Sequence, residues 1–386
     1  MLVSGTTIGG GMLGLPVSTA SAGLLPSFFT YLLCWVFTAS TGLLILEACL
    51  WVGKETNLIS LAELTLGKAG KALTWMLYLF LFGCLTVAYI VAGGNLTSEI
   101  LQNHIEEGTA SLLYVLVFGS MVWMGARFIG RMNLPLMIGL GVSFFGFFYF
   151  GVDHIQQKNL EHHNWSAMWQ ALPIIFASFG FQGLVPTLTR YLRFDGKRTR
   201  IAILIGSAIP LFVYVVWQTL IFGIIPLEGP HGLAEALQKG QSAVIPLKYF
   251  LSNPNIVGLG RAFAFFAITT SFLGVSLALS DFLADGLRIE KSSLGKLLLC
   301  GLIFIPTLII AMLYPSIFIK ALDMAGGVGV ATLLGLMPIL MAWSGRYHLK
   351  MGGFRALPGG KIFLGILLVA GMIEVSTECL KVIGWL

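Results

Sequence analysis

The sequence predicts an all-α integral membrane protein of eleven transmembrane helices, and three observations predict it. Of its 386 residues, 57% are hydrophobic and only 10% are charged, against roughly 25% charged in soluble domains. The apolar residues gather into windows of about 20, the length that carries a helix across a bilayer. The basic residues then fall mostly on one side when those windows are counted off in order. A mean hydropathy of +0.89 agrees.

The windows lie at roughly 1–21, 24–51, 72–101, 111–127, 133–151, 167–189, 201–225, 261–287, 295–314, 321–344 and 361–384. The connections after spans 2, 4, 6, 8 and 10 hold 17 of the 23 Lys and Arg, including the run Arg190, Arg193, Lys197, Arg198 and Arg200. By the positive-inside rule this puts the N-terminus in the cytoplasm and the C-terminus outside, which in a bacterium is the periplasm. A missed span would scramble the alternation. The net charge of +6 is thus a topology signal and calls for no nucleic-acid partner. The connection 226–260 is the longest, and HGLAEALQKGQSAVIPLKYFL within it has the periodicity of a surface helix capping the external side. The first window lacks the basic leader of a signal peptide and is followed by another span. Cys34, Cys49, Cys84, Cys300 and Cys379 are scattered singly without metal spacing. All six histidines fall in loops or at span ends, which argues against an intramembrane relay or enzyme.

Two spans are broken. Residues 5–16 read GTTIGGGMLGLP and residues 176–186 read FASFGFQGLVP. Each interior Gly costs a helix about 1 kcal/mol relative to Ala, and an unpaired backbone group in hydrocarbon costs several kcal/mol. Such segments persist only where the loosened backbone faces protein or a polar cavity. Gly9, Gly11 and Gly14 form a formal GxGxxG, but no strand precedes it and no soluble βαβ unit surrounds it, so it is not a dinucleotide site. Gly139, Gly141, Gly326, Gly327 and Gly329 are read instead as close helix packing. If spans 1 and 6 are equivalent, the chain holds two five-span halves, about 1–151 and about 167–344, with an extra helix at about 361–384. Five is odd, so the halves are inverted. Matching breaks at their first spans point to a transporter's binding site. In the second break Phe179, Gly180, Phe181, Gln182 and Gly183 set an amide and two aromatics beside freed backbone. Free N–H groups at half-helix ends receive a carboxylate, freed carbonyls an ammonium, and aromatics a side chain. A zwitterionic amino acid meets all three.

At these residues the chain resembles the bacterial aromatic amino acid permeases, the tyrosine- and tryptophan-specific transporters. The resemblance runs nearly end to end and is carried by residues 5–16, by LPIIFASFGFQGLVPTLTRYL at 172–192 and by FFAITTSFLGVSLALSDFLADGL at 265–287. It implies the five-plus-five inverted-repeat fold of the amino-acid/polyamine/organocation superfamily, the leucine-transporter type. It also implies uptake of aromatic amino acids by proton-coupled symport. Members of that family often carry a His where this chain has Gln182, which leaves the choice between tyrosine and tryptophan open. Many also carry a short basic tail before span 1, whereas this sequence opens almost directly on the span, which leaves both the true start and gating by such a tail open.

In the implied fold, spans 1 and 6 hold substrate while spans 3 and 8 complete the pocket. The substrate candidates are then Gly5, Thr6, Gly9, Gly10 and Gly11, the span 6 set Phe179 to Gly183, and Tyr89 of span 3. Thr269, Thr270 and Ser271 match the position where sodium-coupled members of the superfamily set hydroxyls against span 1, although Ser and Thr also bond back to their own helix. Acids inside spans suggest function by default. Glu47, Asp281 and Asp285 are read as gate or ion-pair groups, and Glu374 with Glu378, one face of span 11, as packing or oligomer contacts. The expectation is a secondary transporter of the bacterial inner membrane, importing tyrosine first and tryptophan next by alternating access, with no cofactor. A sodium-coupled symporter of another neutral amino acid is the alternative, and a channel the more remote one. No Walker motif is present to couple ATP.

Overall fold

The computed structural model describes residues 2–101 and 104–383, and among them the fold is entirely helical apart from one isolated bridge between Gly23 and His163. Ten segments are long and apolar enough to cross a membrane. Span 1 is in three pieces, each too short to be counted that way: Leu2–Thr7, a 3-10 turn at Gly10–Leu13, and Leu15–Thr19. Every predicted window therefore has a helical counterpart.

Helix ends follow local chemistry. Span 2, Leu24–Val52, stops at Gly53 in the left-handed region, whose N–H donates to the Cys49 carbonyl at 3.1 Å. It starts after Gly23, at φ +82°, where a Cβ would sit 1.9 Å from the His162 carbonyl oxygen. Glycine is required there both by conformation and by space. The Asn164 N–H donates to the Ala22 carbonyl at 2.7 Å at this point. The chain entering span 6 is thus pinned to the chain leaving span 1.

Several boundaries differ from the sequence reading, among them that of span 5, which starts at Ala126 instead of 133 and so carries Arg127 and Arg131 on helix. Span 3 belongs to a helix running Leu58–Ile100, with Asn57 capping the Ser60 N–H and a break at Gly67 (φ 75°, ψ −165°). Lys68 and Lys71 accordingly sit on helix, not in a loop. Span 8 starts at Pro254, seven residues before the predicted 261, because Asn253 caps it and Pro suits a first helical turn. The predicted surface helix in 226–260 is two short ones, Leu233–Gln238 and Leu247–Phe250. Gly240 (φ +62°) and Pro246 separate them. Between them the Ala243 N–H donates to the Leu13 carbonyl at 3.1 Å, docking the loop on the broken first span.

Spans 2, 6 and 10 are the most enclosed, and spans 5 and 11 the least. Large apolar side chains face outward, among them Ile362 (83% exposed) and Leu294 (77%), while Thr41, Gln182, Gln218 and Thr269 are fully buried. That inversion suits a lipid surround, in which polar groups must find partners inside the protein. Span 10, Phe318–His348, has π-helical turns at Ala325–Leu336 and Ser344–His348. Its glycines touch three neighbours, since Cβ atoms on Gly326, Gly327 and Gly329 would meet Pro173 of span 6, Glu378 of span 11 and Leu81 of span 3. In span 5, Gly139 packs on Phe266, but Gly141 has nothing within 4 Å, so the packing role expected of it is absent.

The tightest of these contacts yields a prediction. A Cβ on Gly326 would lie 1.6 Å from the Pro173 carbonyl oxygen, which is backbone and has little room to shift. Gly326→Ala is expected to cost about 3 kcal/mol or more by overpacking. Thermal melting of the detergent-purified protein, with Gly141→Ala as the neutral comparison, checks it.

Candidate functional site

The helix of span 1 ends at Thr7, and Gly9 is extended (φ −156°, ψ −161°) before the 3-10 turn begins. The helix of span 6 ends at Ser178, and the chain passes through Phe179, Gly180 and Phe181 to a second 3-10 turn at Gln182–Leu184. Pro16 and Pro186 lie in the first turns of the resumed helices, where their missing N–H groups cost nothing. The two breaks meet. A Cβ on Gly11 would stand 3.0 Å from Ser178 Oγ.

Spans 3 and 8 close on the first break. A Cβ on Gly10 would lie 2.7 Å from the Tyr89 ring, and one on Gly9 would lie 2.1 Å from Ser271 Oγ. The Gly10 N–H donates to Ser271 Oγ at 3.0 Å. Thr269 is fully buried, with its hydroxyl 3.4 Å from that of Tyr114. Thr270 bonds back to the Phe266 and Ala267 carbonyls of its own helix. Of the three span 8 hydroxyls, Ser271 is the one that reaches span 1.

In the second break Phe179, Phe181 and Gln182 are fully buried. Phe179 sets its edge against Tyr214 at 5.0 Å. A Cβ on Gly42 would stand 3.1 Å from Phe181. Gln182 Nε2 donates to Thr41 Oγ1 at 3.3 Å, while its Oε1 has no hydrogen-bond partner among the described residues. Gly180 lies between the Ala177 carbonyl and Val330.

Two candidates, Gly183 and Gly5, fall outside this constellation. Gly183 is exposed, with nothing within 4 Å of a Cβ. Gly5 is still helical and faces Met137 of span 5. Thr6 is helical too, and its side chain lies outside the described residues. The helical turn carries Gly5 to the span 5 side, a geometry that residue type alone does not disclose.

The acids divide by burial. Glu47 is buried and receives Arg346 in a two-point ion pair, Nε to Oε1 at 2.8 Å and Nη2 to Oε2 at 2.7 Å. Arg346 also donates to the Leu357 and Gly359 carbonyls, tying spans 2 and 10 to the chain entering span 11. Asp281 pairs with Lys291 at 2.9 Å, both half exposed, and Asp285 is exposed. Glu374 and Glu378 are buried within the chain, with Glu378 against Gly327 of span 10.

Sequence reasoning missed Tyr214 of span 7. Its hydroxyl stands 2.6 Å from both the Thr7 and the Ser178 carbonyl oxygens, the last carbonyls before the two breaks. Four residues on, Gln218 accepts from Tyr31 at 2.8 Å and donates to Thr19 beyond the first break. The available signal was two polar residues at helical spacing in an apolar span. Arg346 is one of the basic residues after span 10 in the sequence, and nothing in its spacing marks Glu47 as its partner.

Such a molecule is a multi-pass helical membrane protein in which two interrupted spans meet in the interior and are held there by polar groups of their neighbours. The model of the tryptophan/tyrosine permease family matches residues 1–377, and the chain belongs to that family. Its members are transport proteins, not enzymes. A tryptophan-specific transport protein of Pseudomonas aeruginosa is 30% identical over all of this chain and 94% of its own length. The tyrosine-specific transport system 1 of Haemophilus influenzae is 30% identical over 97% of this chain and 94% of its own length. The crystal structure of MhsT in complex with L-phenylalanine aligns with a TM-score of 0.61 at 16% identity, covering 96% of this chain and 97% of that one, and shares its fold.

The buried pair gives a second prediction. Removing one partner leaves an uncompensated buried charge, so Arg346→Met is expected to destabilise by about 3–5 kcal/mol. The double variant with Glu47→Leu is expected to recover part of that loss. Melting temperatures of the two purified variants and the parent decide it.

Proposed function

We propose that this protein imports an aromatic amino acid across the bacterial inner membrane by alternating access, with tyrosine favoured and tryptophan next. The observation that carries the reading is the meeting of the two breaks at Gly11 and Ser178 in a chain matched from end to end by a family of aromatic amino acid permeases. Relatives of both specificities support the substrate class, and a protein of the same fold holds phenylalanine. The buried Gln182 Oε1 supports recognition of a polar hydrogen, since an unpaired buried acceptor costs about 1–3 kcal/mol until a donor arrives. A tyrosine hydroxyl, an indole N–H or the substrate ammonium would each satisfy it.

In this reading the chain is two inverted five-span halves, about 1–151 and 167–344, plus the helix near 361–384, with the N-terminus cytoplasmic and the C-terminus periplasmic. Spans 1, 2, 6 and 7 rock against 3, 4, 8 and 9. The drive is a proton gradient. Ser271 supports protons over sodium, because it meets span 1 through the Gly10 N–H, whose positive end would face any cation placed between them.

The test is uptake of labelled tyrosine, tryptophan and phenylalanine into proteoliposomes under pH and sodium gradients imposed separately. Accumulation of tyrosine or tryptophan under the pH gradient is the expected result. No movement of any of the three under either gradient would sink the reading, and dependence on sodium alone would transfer it to the sodium-coupled alternative. In the same assay Gln182→Ala is expected to raise KM about tenfold or to erase discrimination against phenylalanine, with insertion intact. Unchanged kinetics for all three substrates would remove Gln182 from the site.

A further inference from the structure

We infer that Tyr214 is a positioning residue for transport: its single hydroxyl fastens the two helix breaks to each other, so that both present their freed backbone to the substrate in one arrangement. The inference rests on the transport reading above and adds to it a residue outside both broken spans.

The argument starts from helix ends. The last carbonyls of a helix have no partner within it and carry its partial negative charge. Leu2–Thr7 and Leu172–Ser178 both stop at a break, so two such ends face each other across the interior. One fully buried phenol stands 2.6 Å from both terminal carbonyls. A hydroxyl has one proton to donate. It is therefore shared between two acceptors that repel each other, and the bond to one break depends on where the other break stands.

The phenol itself is held in place. Its ring meets Phe179 at 5.0 Å and Tyr31 at 6.4 Å, both edge-on. Tyr31 donates to Gln218, one turn further along span 7, and Gln218 donates to Thr19. Span 7 thus grips span 1 on both sides of its break, at Thr7 and at Thr19, and grips span 6 at its break. One residue, Ile8, separates Thr7 from Gly9, Gly10 and Gly11, and Phe179 to Gln182 follow Ser178 directly. Tyr214 acts on the substrate through these residues. Removing the hydroxyl leaves two like partial charges opposed in the buried interior, and the breaks are expected to draw apart.

The test is Tyr214→Phe, which keeps the ring packing and deletes only the shared proton. Reconstituted protein is assayed for labelled tryptophan and tyrosine uptake under the gradient that drives the parent. KM is expected to rise about tenfold while Vmax stays within about twofold. Thr307→Val removes a buried hydroxyl of span 9 that bonds back to the Ile303 and Phe304 carbonyls of its own helix, and is expected to leave KM within about twofold. A Tyr214→Phe KM that matches the parent's overturns the assignment. So does an equal KM rise in both variants, which would mean general loosening. A melt of each purified variant is run first, and loss of folding in Tyr214→Phe also overturns it, because the tyrosine would then serve the fold alone. A parent that moves none of the amino acids sinks the transport reading itself. An active parent with an unchanged variant sinks only the role of Tyr214.

Discussion

Every other feature of this interior depends on one constraint: a helix broken inside an apolar protein must have its backbone groups paired by something else. Here the partners come from outside the broken spans. Span 7 supplies Tyr214 to the Thr7 and Ser178 carbonyls, and span 8 supplies Ser271 to the Gly10 N–H. The 3-10 turns recover part of the rest, as the Met12 N–H to the Gly9 carbonyl at 3.2 Å and the Leu184 N–H to the Phe181 carbonyl at 2.9 Å show. Gln182 Oε1 is the buried acceptor in the second break that no described residue fills.

The same logic governs the charges. Glu47 and Arg346 are both buried, and the pair persists because two-point geometry and two further carbonyls on Arg346 replace the water each ion gave up. Near the 226–260 loop, buried Glu99 pairs with Lys248 of that loop at 3.1 Å and with Arg261 of span 8 at 2.9 Å. A polar cavity of about 400 Å³ adjoins this cluster, lined among others by Glu99, Glu235, Lys248 and Tyr249. Lys248 and the Ala243–Leu13 backbone bond tie the loop to both span 3 and span 1.

Much of the fold was legible because bilayer thickness, hydropathy and helix breakers act on consecutive residues. The eleven windows, the odd count and both breaks follow from them. The misplaced boundaries have local causes that periodicity does not weigh: the Asn57 cap and Gly67 kink before span 3, the Asn253-Pro254 start of span 8, and Gly240 with Pro246 in the long loop. The π-helical turn at Ala325–Leu336 carries glycines that lie against Pro173 and Glu378 of other spans, contacts that no window of consecutive residues records.

By itself the sequence determined what must be solved: two backbone interruptions in apolar spans, the amide and aromatics beside the second, and the family these motifs carry. It did so because cost and composition at a break are properties of neighbouring residues. Only the tertiary structure decided how the problem is solved. Tyr214 is 207 residues from Thr7 and Arg346 is 299 from Glu47, and no spacing rule links groups so far apart along the chain. Their pairing exists because buried donors and acceptors must meet wherever packing brings the helices together.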